Sequence, residues 1–206
     1  MRKKRGFTVI EVVVVIIAIS ILLAALLPYV AKQVEDSRIS KIEQDILALK
    51  NACAMFFNDT TSLPSAWNHF VTPTGNGWRG PYLARVPGST GAIWSSASPW
   101  KTDYRLITLL SANQDHRFAT TTNLYPFRNA VAIEITNPLV GGGPAIIPLS
   151  LQKIDQDIDN NHAGTGMALE ANPNQNPFVT NNNIQGISGQ NYVGTSKSMY
   201  VLIYTY

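Results

Sequence analysis

Three aspartates at alternate positions form the densest group of potential metal ligands in the chain. Asp155, Asp157 and Asp159 are followed by two asparagines, and Ca²⁺ prefers six to eight oxygen ligands. The run is not an EF-hand, because it lacks glycine at its sixth position and glutamate at its twelfth. Ile154 and Ile158, four residues apart, favour instead a short helix docked by its apolar side, with the acids facing water. The sequence leaves both interpretations open.

The other reactive side chains lack catalytic spacing. His69, His116 and His162 are scattered and do not match a zinc site. Cys53 is the only cysteine, and its place in an apolar helical stripe predicts a buried small side chain rather than a reactive thiol. The three glycines at 141–143 lack the Lys-Ser/Thr of a phosphate-binding loop. We therefore expect no enzymatic activity.

A carboxylate stands inside the most apolar segment of the chain. Residues 1–6 contain four basic side chains and end in Gly6, and residues 7–30 are mostly apolar apart from Glu11. The apolar segment is long enough to cross a bilayer as a helix, and the positive charges before it favour the cytoplasmic side. A secretory signal would be cut after this segment, and a plain membrane anchor would avoid an acidic side chain within it.

Cleavage of the chain would give Glu11 a partner. A cut after Gly6 creates an α-amino group on Phe7, four residues before Glu11 and on the same face of a helix. The amine of a neighbouring subunit could pair with Glu11 in the same way. Either pairing offsets the cost of burying both charges.

The N-terminal sequence resembles the processing site of type IV pilins and type II secretion pseudopilins. Gly6, Phe7, Thr8 and Glu11 match that family's pattern, and Pro28 falls where the family has a helix-kinking proline. The resemblance implies cleavage between Gly6 and Phe7 by a prepilin peptidase, N-methylation of Phe7, and a role for Glu11 in subunit docking. It also implies a helical filament of identical subunits, built on an assembly platform in the inner membrane.

The elements that must position these residues begin with one long helix. After the apolar segment, positions 39, 42, 46, 49, 53 and 56 continue an apolar stripe at spacings of three and four. We expect one helix from Phe7 to about Asn58, with a bend at Pro28. Its first half, 7–30, forms the membrane or filament core, and its second half, 31–58, is amphipathic.

A head domain at 59–206 is expected to complete an α+β, pilin-like fold. Turn residues and aromatics at 59–103 predict a loop pinned onto a small core, and Gly80-Pro81-Tyr82-Leu83 within it resembles an element of the major pseudopilin. Residues 104–110, 130–136 and 199–206 are predicted strands. Three or four antiparallel strands would cover the helical stripe, and residues 172–191 are predicted to be a long exposed loop.

The charge balance gives no case for nucleic-acid binding. The chain has 16 basic and 13 acidic side chains, and four of the basic ones are in residues 1–6. Without that leader, twelve basic side chains face thirteen acidic ones, so no basic surface is predicted.

Three functions fit these features. The first is a structural subunit of a type IV pilus, and the second is a pseudopilin that forms a periplasmic filament for protein export. The third is a membrane-anchored binding module that does not polymerise. In the first two, the precursor resides in the inner membrane and the assembled filament lies outside the cell or in the periplasm.

Overall fold

The computed structural model describes residues 8–118, 126–136, 146–159, 166–172, 176–180 and 198–206. The chain divides into two compact units, Met1–Arg38 and Ile39–Tyr206. The basic leader and the Gly6-Phe7 junction lie outside the described residues.

The longest element is helix α1, which spans Val9–Thr60. Its bounds confirm the single helix expected from the sequence, with an end two residues later than predicted. The helix continues without a break through Pro28. The bend at Pro28 stays a prediction.

The head contains an antiparallel six-stranded sheet, larger than the three or four strands predicted. Its order is β1-β2-β3-β5-β8-β6, and β4 pairs with β7 in a separate ribbon. The strands are β1 (Ser89–Thr90), β2 (Ile93–Trp94), β3 (Tyr104–Leu110), β4 (His116–Phe118), β5 (Asn129–Ile135), β6 (Ala168–Ala171), β7 (Phe178–Thr180) and β8 (Ser198–Thr205). The second helix, α2, spans Pro148–Ile158.

The main core lies between one face of this sheet and the apolar stripe of α1. The stripe residues Ile39, Ile42, Ile46, Leu49, Cys53 and Phe56 are all buried. They cluster with Val131, Ile133 and Ile135, which alternate along β5 as period-two patterning requires. Each fully buried aliphatic side chain contributes about 1.5–3 kcal/mol.

The opposite face of the sheet is also buried. Phe118 on β4 and Phe178 on β7 cover Ala132, Tyr200 and Leu202 in a second cluster. This corrects the prediction of an exposed loop at 172–191, because β7 lies within that range and Phe178 is 5% exposed. The rest of that range, at 173–175 and 181–191, lies outside the described residues.

The turn-rich segment after α1 is held by aromatic side chains, as predicted. Trp67, Phe70 and Trp100 are buried, and Tyr82 packs edge-on against Phe56 with ring centroids 5.6 Å apart. The Tyr82 hydroxyl also donates a 2.9 Å hydrogen bond to Asp59. Aromatic pairs of this geometry contribute about 0.5–1.5 kcal/mol beyond burial.

Candidate assembly site in the N-terminal stem

The first turn of α1 contains a capping box. The Thr8 backbone N–H and hydroxyl each donate a 2.8 Å hydrogen bond to Oε2 of Glu11. The Glu11 backbone N–H donates to the Thr8 hydroxyl at 3.4 Å. This reciprocal pattern satisfies backbone donors that an α-helix leaves free at its start. The Thr-x-x-Glu spacing in the sequence is the signature of a capping box. From the sequence alone, Glu11 is interpreted only as a partner of an amine, and its capping role is not predicted.

The capping box fixes where the Glu11 carboxylate lies. Both side-chain bonds use Oε2, and a carboxylate accepts about four hydrogen bonds in total. Glu11 therefore retains acceptor capacity for an amine while it caps its own helix. Phe7, whose amine would be the partner, lies outside the described residues.

The stem that follows, residues 9–30, is apolar on every side. Its large apolar side chains are all exposed, from 42% at Val13 to 82% at Val9. Ser20 is compatible with an apolar surrounding, because its hydroxyl donates a 2.8 Å hydrogen bond to the Ile16 carbonyl. Within the described part of the chain, α1 is the helix long and apolar enough to cross a membrane.

An apolar surface of this size is not stable in water. Soluble monomers rarely expose contiguous apolar patches larger than a few hundred Å². The stem must therefore be covered by lipid or by other apolar stems. Its geometry supports insertion and helix packing.

The three predicted metal ligands lie at the end of α2, in three different environments. Asp155 is fully buried, Asp157 is exposed, and Asp159 accepts hydrogen bonds from the backbone N–H groups of Met167 and Ala168. The predicted short helix is confirmed, since its Leu151 is buried in the main core. The interpretation in which all three acids face water is wrong for Asp155, which is buried, and Asp159 is half-buried.

The physical reason for that correction is the position of α2. The helix buries the side that carries Leu151, Ile154 and Asp155, which are spaced three to four apart. Asp159 follows its last turn and binds the amides at the start of β6. Among the described residues, no group of three His, Cys, Asp or Glu side chains is arranged to hold a metal ion. The Ca²⁺ site at the three aspartates stays a prediction.

Asp157 has a titratable neighbour on α1. Burial and a side-chain hydrogen bond with Asp157 raise the pKa of Glu43, while the positive charge of Lys153 lowers it. The contact joins α1 to α2 within the head.

Two of the remaining candidates for chemistry, Cys53 and His69, pack within the head. Cys53 is fully buried, and desolvation raises the pKa of its thiol to about 12, so the predicted inert side chain is confirmed. His69 stacks on Phe56 with ring centroids 6.1 Å apart. Burial lowers the pKa of His69.

Known proteins share the sequence of this N-terminal segment. Residues 1–27 match the prokaryotic N-terminal methylation motif. Type II secretion system core protein G of Escherichia coli is 31% identical over 138 residues, which cover 59% of this chain and 90% of that protein. This chain belongs to the type IV pilin-like family. Type II secretion system core protein G of Vibrio cholerae is 32% identical over 115 residues, which cover 52% of this chain and 73% of that protein.

Membership in the type IV pilin-like family assigns the general role. The chain is a structural subunit of a type IV pilus or of a type II secretion pseudopilus. Among solved structures, the major type IV pilin PilA1 from Clostridium difficile matches with a TM-score of 0.42 and 15% identity, over 83% of this chain and 97% of that chain.

Proposed function

We propose that this chain is a pseudopilin, a subunit of a filament that serves protein export through a type II secretion system. The observation that supports this choice is the set of relatives, of which the Escherichia coli and Vibrio cholerae proteins are both named core protein G. The proposed role is structural.

Maturation would begin in the inner membrane, with the stem inserted as a helix. A prepilin peptidase cuts between Gly6 and Phe7 and methylates the new amine of Phe7. The cut removes four basic side chains that would otherwise resist movement out of the cytoplasmic surface. The subunit then leaves the bilayer through the assembly platform, and apolar stem contacts replace lipid contacts.

Glu11 is the proposed docking residue in that step. Its carboxylate is held on the helix start by Thr8, which limits the entropy lost when it meets a second partner. The amine of Phe7 in an adjacent subunit is a partner of opposite charge. A charged pair inside an apolar bundle is costly to leave unmatched, so it selects one register between stems.

Deletion of the gene separates the pseudopilus from a surface pilus. We expect the deletion to abolish export of type II substrates into the medium and to leave surface pili unchanged in sheared fractions. Plasmid copies of the wild-type gene should restore export, and a Glu11→Ala copy should not. Unchanged export in the deletion strain would overturn the pseudopilin assignment.

A type IV pilus subunit is the second candidate. The match to core protein G covers 59% of this chain. The rest of the chain, which has no counterpart in that match, is the observation that favours a pilus subunit. The additional chain length, which includes the Asn-rich residues 172–191, suits a filament exposed to the exterior. In that case the same deletion removes surface pili and leaves export intact.

A further inference from the structure

A groove of about 500 Å³ lies in the head where β5 begins and β8 ends. Its lining includes Asp115, Phe127, Arg128 and Tyr206. That volume is within the range of about 300–1,000 Å³ that is typical of small-molecule sites. The filament role of the stem uses none of these side chains. The groove is therefore a candidate ligand site outside the stem.

Backbone hydrogen bonds hold the walls of the groove. The Tyr206 N–H donates to the Asn129 carbonyl at 3.0 Å, and the Asn129 N–H donates to the Tyr206 carbonyl at 3.4 Å. The N–H groups of His116 and Phe127 donate to each other's carbonyls at 2.8 and 2.9 Å. These bonds preform the groove, which lowers the cost of binding. They also occupy the main-chain groups that an added peptide strand would need.

Tyr206 gives the groove a fixed aromatic surface. Its ring packs on Phe57 of α1 with ring centroids 4.3 Å apart, and the side chain is still 53% exposed. Phe57 also contacts Tyr204, with ring centroids 5.4 Å apart, so the Tyr206 ring rests on an aromatic cluster. A tyrosine that is already held in place offers contact area to a ligand at low entropic cost.

An ion pair supplies the polar part of the groove. Nε of Arg128 donates to Oδ1 of Asp115 at 2.8 Å, and both side chains are exposed. An exposed pair of this kind contributes only about 0–1 kcal/mol to stability. Within the described part of the chain, the Nη groups of Arg128 and Oδ2 of Asp115 make no hydrogen bond. The pair therefore presents donors beside an acceptor, with no net charge.

We infer that this groove binds a neutral saccharide. Adjacent hydroxyls of a pyranose accept from Nη of Arg128 and donate to Oδ2 of Asp115, while the apolar C–H surface of the sugar covers the Tyr206 ring. One guanidinium and one carboxylate together disfavour both phosphate and ammonium ligands. An extended peptide finds no unpaired strand edge at the described walls. Sugar binding goes beyond the filament role and needs no assembled filament.

Saturation-transfer NMR of the full chain measures this binding. The chain is held in a zwitterionic detergent, because detergents with sugar headgroups would compete. The probes are the trimer of N-acetylglucosamine, which represents glycans of the cell envelope, and lactose, which represents glycans outside the cell. We expect at least one to bind, and the preferred sugar indicates the source. Affinity should change less than twofold between low and high salt, because the ligand is uncharged.

Substitutions in the groove place the sugar. Tyr206→Ala and Arg128→Ala should each raise the dissociation constant at least tenfold, whereas Tyr206→Phe keeps the ring and should stay within threefold. Ile93→Ala, at an exposed position on β2, is the matched control and should bind as wild type does. Tryptophan fluorescence melting checks that each variant is folded. If Tyr206→Ala is unstable, the exposed Arg128 still gives a usable variant.

Three results would overturn the proposal. The first is the absence of binding by both sugars at about 10 mM. The second is sugar binding that folded Tyr206→Ala and Arg128→Ala leave unchanged, which would place the sugar elsewhere. The third is binding of an uncharged proline-rich peptide in place of either sugar. None of these results concerns export, so they are distinguishable from a failure of the pseudopilin assignment.

Discussion

Removal of the Asp159 side chain should destabilise the head. Its Oδ2 accepts the N–H groups of Ala168 at 2.9 Å and of Met167. These two hydrogen bonds connect the end of α2 to the start of β6. In Asp159→Ala both donors lose this acceptor, and a buried donor left without a partner costs about 1–3 kcal/mol.

The expected magnitude follows from the exposure of the two amides. Ala168 is fully buried, so its N–H has no access to water, whereas Met167 is half-buried and water can reach it in part. We expect Asp159→Ala to lower the free energy of unfolding by about 2–4 kcal/mol. Asp159→Asn keeps an acceptor oxygen without the charge, and should lose about 1–2 kcal/mol.

Urea unfolding of the full chain in detergent micelles measures this loss. All four tryptophans lie at 67–100, so their fluorescence reports the head and not the stem. Gln156→Ala, an exposed position on α2, should stay within about 0.5 kcal/mol of wild type. The experiment is run in EGTA and again in CaCl₂.

Two results would refute the reasoning. If Asp159→Ala matches Gln156→Ala, the two amides do not depend on the carboxylate. If the loss appears in CaCl₂ and disappears in EGTA, Asp159 acts as a Ca²⁺ ligand rather than as an acceptor for β6. In that second case the predicted site at Asp155, Asp157 and Asp159 gains support, and calorimetric titration with Ca²⁺ should release or absorb heat.

Three further predictions concern the core of the head. Ile42→Ala empties a fully buried position between α1 and the sheet and should cost about 2–5 kcal/mol in urea unfolding; a loss below 1 kcal/mol would contradict that packing. The lowered pKa of His69 means that its neutral form stabilises the fold above the unfolded pKa near 6.5, and that this stability is lost as pH falls through the folded pKa. His69→Phe should therefore flatten the pH dependence of the urea midpoint in that window, and an unchanged slope would exclude His69 as its source. Cys53 should react with a thiol reagent only when the head opens, because it is buried with its pKa raised to about 12; rapid labelling of the native chain would contradict this.

The long elements of the fold could be predicted because their periodicity is sustained. The stripe from Ile39 to Phe56 repeats over five turns, and residues 130–136 alternate as a half-buried strand does. Predicted and observed bounds agree exactly for β3, and within one residue for β5 and β8. These elements position the main core.

The short strands could not be predicted, because two to four residues carry no measurable period. β6 reads Ala-Leu-Glu-Ala, a sequence with weak strand propensity. It pairs antiparallel with β8, with Ala168 opposite Val201. Tertiary pairing decides such strands, and a single sequence does not show it.

Among the candidate sites, too, local motifs could be predicted and placements that depend on tertiary contacts could not. The Thr8–Glu11 capping box is a local motif of four residues and was available from spacing alone. The burial of Asp155 depends on which side of α2 faces the core, and the partners of Asp159 lie eight and nine residues farther along the chain. Those two placements required the folded structure.

A helical reconstruction of the assembled filament by electron cryomicroscopy tests the central claim most directly. It should show subunits that begin at Phe7, with the stems at residues 9–30 packed against one another in the filament interior. The Glu11 carboxylate should lie within hydrogen-bonding distance of a Phe7 amine. A filament joined only through its heads, or one whose subunits still carry residues 1–6, would contradict the account.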